Sequence, residues 1–304
     1  MRIYVRLTDR AWFSRLRQLA PAEASFWQID TRQFHAIAPG ELFLFKLHSP
    51  ENYIVGGGVF AEQHLLPASL AWSAFGPTSG ADDFPSFLQQ IHRQRGTNRQ
   101  DEPDPEISVL VLVQPFFLEE DDWIPVPADW APQTAQGRIY DTTSSPGREL
   151  YAQVRQTLIR RRLRKRRYFR RFQAPAITAA DFSLGMLNVR VFDTYHRRCA
   201  ITGAAALPVL QAIQIQPSSA GGPLMISNGL VLRQDLGTLF QQGYLTISDE
   251  RLVQVSPRLE ADLAGAGHYA ALHGQRLVTL PDSLLEWPGR ERLRRHRENV
   301  YLQG

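Results

Sequence analysis

Arg197-Arg198-Cys199-Ala200-Ile201-Thr202-Gly203 opens the stretch whose reading decides the fold of the C-terminal half. It is followed by Leu207-Pro208-Val209-Leu210-Gln211-Ala212-Ile213-Gln214-Ile215-Gln216-Pro217, then by Gly221-Gly222-Pro223 and Ser227-Asn228-Gly229-Leu230. Arg233-Gln234-Asp235-Leu236-Gly237-Thr238-Leu239-Phe240 and Gly243-Tyr244-Leu245 close it. Gly203, Gly221, Gly222 and Gly229 read as turn residues. Cys199 reads as a small buried apolar residue rather than a nucleophile. No histidine occurs between His196 and His268.

This order of motifs is similar to the HNH endonuclease superfamily, in its restriction-endonuclease branch. The family pattern is R-R-C-A-x-T-G, a strand ending A-H-I-x-P, a G-G loop, S-N-G-L, and L-x-x-D-L-H-x-L-F-D-x-G. About fifty residues agree closely, and the flanking His268-Tyr269-Ala270-Ala271-Leu272-His273-Gly274 and Glu298-Asn299-Val300-Tyr301 also resemble it. The resemblance implies a ββα-metal fold, a β-hairpin followed by a helix. It also implies phosphodiester hydrolysis: a strand-end histidine takes a proton from water, a loop asparagine steadies the site, and a helix histidine helps hold one divalent cation.

Placed on that pattern, the strand-end histidine falls at Gln214, the asparagine is kept as Asn228, the helix histidine falls at Gly237, and the aspartate after Leu-Phe falls at Gln241. Glutamine is no base near neutral pH, and glycine offers a metal no side chain. Loss of a general base costs about a hundred- to ten-thousand-fold in rate. The expectation is therefore an impaired or inactive site with no cofactor. Two rescues are open: Asp235 binding a metal, or His196 acting as base. Either would leave a divergent Mg- or Mn-dependent endonuclease. Once its partners are gone, Asn228 reads as a loop brace.

Outward from this segment, charge is uneven along the 304 residues. Residues 1–150 hold 12 Lys/Arg and 19 Asp/Glu, whereas residues 151–304 hold 22 and 11. A basic back half suits a polyanion. The single cysteine excludes an internal disulfide and a Cys-rich zinc site. No run of eighteen apolar residues occurs, and the N-terminus lacks the apolar core of a signal peptide. A cytoplasmic location and no membrane partner are expected.

In the front half, residues 2–7 read as a strand, 10–19 as a short amphipathic helix, and 67–75 and 84–95 as helices. Pro39-Gly40 turns into the apolar run Leu42-Phe43-Leu44-Phe45-Lys46. Gly56-Gly57-Gly58, inside the strand pattern from Tyr53 to Phe60, marks a bulge or a close backbone approach. Residues 107–118 are a long β-rich run. The Pro-Gly-Glu turn, the strand ending in Lys46 and Ile54-Val55-Gly56-Gly57-Gly58 resemble the PUA-like superfamily of EVE, ASCH and SRA readers. That resemblance implies a small β-barrel with a base-binding pocket. Candidates for stacking are Trp27, Phe116, Phe117 and Trp123. Candidates for polar contact are Lys46, His48, Ser49 and Asn52. Each aromatic also has a core-packing reading.

Residues 137–149, rich in Gly, Thr, Ser and Pro, read as a linker into a basic helix over 149–172. Arg160, Arg161, Arg162, Arg164, Lys165, Arg166, Arg167, Arg170 and Arg171 suit a phosphate backbone, with Arg292, Arg294, Arg295 and Arg297 as a second cluster. The expected α+β organisation is a PUA-like β-barrel over 1–136, an Arg-rich helical linker over 137–178 and a degenerate HNH fold over 179–304. The expected function is DNA binding, of modified DNA, in defence or regulation. An active endonuclease and a non-enzymatic assembly subunit stand as alternatives, and a homodimer or protein partner is left open.

Overall fold

Leu42–Leu47 is buried at all six positions, so the sheet it belongs to is covered on both faces. The structure, a computed structural model, describes residues 1–98, 100–131, 137–165 and 184–303, and the side chains of all these except 162–165. It is a mixed α+β protein of two compact units, one comprising residues 1–68 and 75–183, the other 69–74 and 184–304.

The first unit holds β1 (Arg2–Thr8), α1 (Arg10–Leu19), β2 (Glu23–Gln28), β3 (Leu42–Leu47) and β4 (Tyr53–Pro67). After α2 (Ala68–Phe75), most of which packs with the second unit, come α3 (Phe84–Arg95), β5 (Glu106–Phe117), β6 (Ile124–Pro125), β7 (Gly137–Asp141) and α4 (Gly147–Lys165). The strands form one sheet in the order β2-β5-β4-β3-β1-β7, with β6 against β4 and β1 parallel to β3. Among the described residues this path is open at β2 and β7, so the expected barrel is not closed. Residues 137–141, expected as linker, are an edge strand. Main-chain pairing with β1 from Arg2↔Asp141 to Arg6↔Gly137 overrides their turn-like composition.

Period-2 alternation fills both faces. Tyr4, Phe43, Phe45, Phe26 and Leu112 pack under Trp12, Phe13 and Leu16 of α1. Ile3, Val5, Leu42, Leu44 and Phe116 pack under Leu150 and Val154 of α4. The helix ends follow from their caps. Asp9 accepts from Trp12 N at 2.7 Å, Asp83 accepts from Ser86 N at 2.8 Å, and Gly96 takes the left-handed turn after α3. The glycine triplet of β4 gives both the bulge and the close approach. A β-carbon on Gly56 would lie 2.4 Å from Phe116 O, and one on Gly57 2.5 Å from Phe43 O.

The second unit begins with α5 (Leu184–Thr194), then an antiparallel hairpin of β8 (Leu210–Gln214) and β9 (Gly229–Arg233), followed at once by α6 (Gln234–Gln241). The pair β10 (Leu245–Ile247) and β11 (Val253–Val255), α7 (Leu259–Asp262) and α8 (Arg290–Asn299) complete it. The buried turn at Cys199 is tied to the hairpin by Ala200 N donating to Val231 O at 2.7 Å. His296 of α8 stacks on Phe240 at 3.8 Å, donates from Nε2 to Phe240 O and accepts at Nδ1 from the Thr246 hydroxyl. No helix among the described residues is long and apolar enough to cross a membrane.

Candidate functional site

The hairpin and its helix bring Gln214, Asn228, Asp235 and Gly237 into one small region of the second unit. Gln214 and Gly229 face each other at the hairpin mouth. The Gln214 side chain turns into its own loop: Nε2 donates to Ser218 Oγ at 2.9 Å, and Oε1 accepts from Ser218 N at 2.9 Å. Asn228 is fully buried. Its Oδ1 accepts from Gln216 N at 3.0 Å, and its Nδ2 donates to Gln216 O at 2.9 Å and Pro223 O at 3.0 Å. All the hydrogen-bonding capacity directed at the loop is thus met by main chain, which makes Asn228 the brace that shapes residues 215–228.

Gly237 lies inside α6, facing Gln211 of β8. A β-carbon there would sit 2.0 Å from Gln211 Nε2, which itself donates to Gln234 O at 3.2 Å. Gln241 ends the same helix. The Asp235 carboxylate is engaged on both sides, by the Arg233 guanidinium and by the Tyr269 hydroxyl at 2.9 Å. Burial pushes this carboxyl up, but the hydrogen bonds from Arg233 and Tyr269 outweigh it and hold the group below the usual carboxylate range. His196 is half-exposed and pairs with Asp282, Nε2 to Oδ1 at 3.2 Å.

A divalent cation of the kind the family resemblance implies does not fit these side chains. Gly237 contributes no donor atom, the Gln214 amide is spent on Ser218, and the Asp235 oxygens already accept from a cation and a hydroxyl. Among the described residues no three His, Cys, Asp or Glu side chains group at metal-binding range.

In the first unit a cleft of about 440 Å³ opens between the end of β1, the start of α1, β2 and α3. Arg6, Asp9, Trp27, Asp30, His48 and Arg93 are among its walls. Trp27 is half-buried, fixed edge-to-face against Phe87 at 5.6 Å and by Nε1 donating to Ser79 O at 3.1 Å. The Asp30 carboxyl is held at about 2 by hydrogen bonds from Arg32. Two of the eight candidate pocket residues, Trp27 and His48, line this cleft.

The other six lie elsewhere in the unit. Phe116 and Phe117 pack in the two cores. Lys46 is 1% exposed: Nζ donates to Leu47 O at 2.8 Å and Asn52 Oδ1 at 2.9 Å and lies 5.2 Å from the Trp130 ring centre, and burial pushes its pKa down. Trp123 packs against Phe13 and lines a smaller recess with Arg160. Ser49 sits in the exposed turn after β3. Arg6, Asp30 and Arg93 were not singled out in the sequence, because nothing in single-strand or single-helix patterning shows that three elements converge there.

Of the basic run, Arg160 is exposed. Arg161 turns inward, donating to Phe117 O and lying 3.8 Å from both Glu119 and Asp122, so its charge is taken up within the first unit. The side chains of Arg162, Arg164 and Lys165, and all of Arg166, Arg167, Arg170 and Arg171, lie outside the described residues.

No family model and no curated protein matches the chain. Among solved structures, ASCH from Zymomonas mobilis is similar over 49% of this chain and 94% of its own, at 11% identity and a TM-score of 0.33. The modification-dependent TagI restriction endonuclease is similar over 87% of this chain and 64% of its own, at 14% identity and a TM-score of 0.31. Similarities of this size carry no argument about what this chain does.

Proposed function

We propose that this chain is a DNA-binding protein whose second unit is an HNH-like hairpin and helix that docks on DNA without cutting it. The observation that carries the reading is the state of the hairpin. At the positions where the sequence resemblance places a base and a metal ligand stand Gln214, bonded into its own loop, and Gly237, closed over by Gln211. In this reading Asp235, engaged by Arg233 and Tyr269, and His196, paired with Asp282, serve the fold rather than replace the ligand and the base. Binding rather than hydrolysis fits such a surface, because phosphate contact needs only cations and hydrogen-bond donors.

The first unit, read as PUA-like, supplies base recognition through the cleft beside Trp27. Its size is that of a small-molecule site, and its walls include Trp27 together with Arg6, His48 and Arg93. A flipped base stacks on an aromatic face and is read at its edge by such groups. The test is an electrophoretic shift with duplexes of one sequence, unmodified or carrying modified cytosine or adenine, with and without Mg. The expected result is a salt-sensitive shift in both conditions, strengthened by one modification and weakened by Arg93→Ala. No shift at low salt with any duplex would reject the reading.

A further inference from the structure

Trp12 is 5% exposed, yet it forms part of the wall of the cleft beside Trp27. Its ring is fixed edge-to-face against Phe26 at 5.3 Å and Phe45 at 4.9 Å. Trp27, Trp123 and Trp287 each donate from Nε1 to a main-chain oxygen, of Ser79, Leu118 and Pro281 in turn. Trp12 does not. Its main-chain N–H is paired with Asp9, but its Nε1–H meets no acceptor among the described residues. Gly80, in the same wall, keeps that N–H uncovered: its φ is 91°, and a β-carbon on it would lie 2.8 Å from Trp12 Nε1. A buried ring thus presents a lone donor to the cleft.

The remaining groups of the wall select less sharply. Thr8, His48, Gln90 and Gln94 can each donate or accept. Both Asp30 oxygens accept from Arg32, and Asp9 caps α1 through Oδ1. Arg93 has no acidic partner among the described residues. Arg6, Arg93 and Arg32 stand against Asp9 and Asp30, three positive charges to two negative. An indole N–H gives a proton and takes none. A ligand seated here removes water from the indole edge. If it brings an oxygen, the lost bond is replaced. If it brings a methyl group, the N–H stays unpaired, which weakens binding about tenfold. A site built around a hydrogen bond rejects the analogue that lacks it more sharply than a purely apolar site could.

We infer that Trp12 sets the specificity of this cleft, its Nε1–H donating to an oxygen on the group that distinguishes the modified base. The ligand class is then a base whose added group ends in an acceptor oxygen, such as formyl or carboxyl, and not one that bears only methyl. Arg93 adds a preference for the carboxylate. This rests on the reading of the cleft as a base pocket and names what that pocket takes.

The test measures fluorescence anisotropy with the full chain at low salt. Four duplexes of one sequence carry a single central cytosine that is unmodified, 5-methyl, 5-formyl or 5-carboxyl. Wild type is expected to bind the formyl and carboxyl duplexes about tenfold more tightly than the other two. Trp12→Phe, which keeps an aromatic ring between Phe26 and Phe45, should bind the unmodified duplex as wild type does and bring all four within about twofold. Arg93→Ala should lower the carboxyl duplex to the level of the formyl one. A second measurement uses wild type alone, with its tryptophans 15N-labelled at the indole. The Trp12 signal, identified by its contacts with the Phe26 and Phe45 rings, should move and become protected from water exchange with the carboxyl duplex but not with the methyl duplex. Methyl bound as tightly as carboxyl, or a Trp12 signal indifferent to the carboxyl duplex, overturns the inference and leaves the base pocket standing. Equal binding of all four duplexes overturns the inference and the base pocket together while DNA binding stands. No binding of any duplex overturns the DNA-binding reading as well.

Discussion

Gln211 occupies the space that a side chain at position 237 would enter: a β-carbon on Gly237 would lie 2.0 Å from Gln211 Nε2. The two residues come from β8 and α6, so the contact closes the hairpin against its helix where the family resemblance places a metal ligand. The pair makes a thermodynamic prediction. Gly237→Ala gains about 1 kcal/mol of helix propensity but displaces the Gln211 amide from Gln234 O, a loss of similar size. The single substitution should be close to neutral. In a Gln211→Ala background the same change should stabilise by about 1 kcal/mol. Urea unfolding of the four proteins in the cycle measures this coupling, and strict additivity would show that the two side chains do not compete.

Asn228 should behave as a structural residue. It is fully buried with three hydrogen bonds to main chain. Asn228→Ala leaves the Gln216 N–H and the Gln216 carbonyl unpaired and takes one of two donors from Pro223 O, which still accepts from Met225 N, a loss of about 2–4 kcal/mol. Asn228→Asp should be at least as damaging, because a carboxylate would face the Gln216 and Pro223 carbonyls without protons to give them. Thermal unfolding checks both. If Asn228→Asp unfolds like wild type, the amide orientation described above is wrong.

The strand–helix segment after residue 136 should be required for the first unit to fold. Tyr140, Leu150 and Val154 cover the sheet face formed by Ile3, Val5, Leu42 and Leu44. A fragment of residues 1–136 would expose that face and leave β1 unpaired along one edge, inviting aggregation. A fragment of residues 1–165 keeps that face covered and, although α2 then lacks the second unit it packs with, should aggregate less and unfold more cooperatively than 1–136. Sedimentation of the two fragments decides the point, and a well-behaved 1–136 fragment would contradict it.

How far the sequence reached depends on whether the information is local. The helices over 10–19 and 84–95 were legible because Asp9, Asp83 and Gly96 sit at their ends with apolar residues at helical spacing between. Leu42–Leu47 was legible from its apolar run. β2 was not, since Glu23-Ala24-Ser25-Phe26-Trp27-Gln28 becomes a strand through its pairing with Ser108–Val113. Residues 137–141 misled for the same reason: their strand state is conferred by β1, more than a hundred residues earlier. At the hairpin, Gln214, Asn228 and Gly237 could be found from motif spacing. Their companions Gln211 and Tyr269 could not, because each meets its partner through the fold. Trp287 and Arg251 are likewise far apart in sequence and stacked in space.

His296 gives the second unit an acid-sensitive contribution to stability. Burial lowers its pKa to about 4 from an ordinary 6.5, against the opposing hydrogen bond to Phe240 O. The unfolded chain therefore binds more protons between these two values. The contribution is complete above about pH 6.5, falls as pH drops through the window, and is lost below about pH 4, amounting to about 3 kcal/mol across it. His296→Gln should remove that part of the pH dependence. Urea midpoints at pH 7 and pH 4.5 for both proteins check this, and an equal pH response in wild type and variant would exclude His296 as its source.

The most direct test of the central claim is a plasmid assay at a protein concentration that retards DNA, with supercoiled modified and unmodified plasmid in Mg or Mn. Bound plasmid should remain supercoiled after protein removal, for wild type and for Asp235→Ala alike. Metal-dependent nicking by wild type that disappears in Asp235→Ala would contradict it.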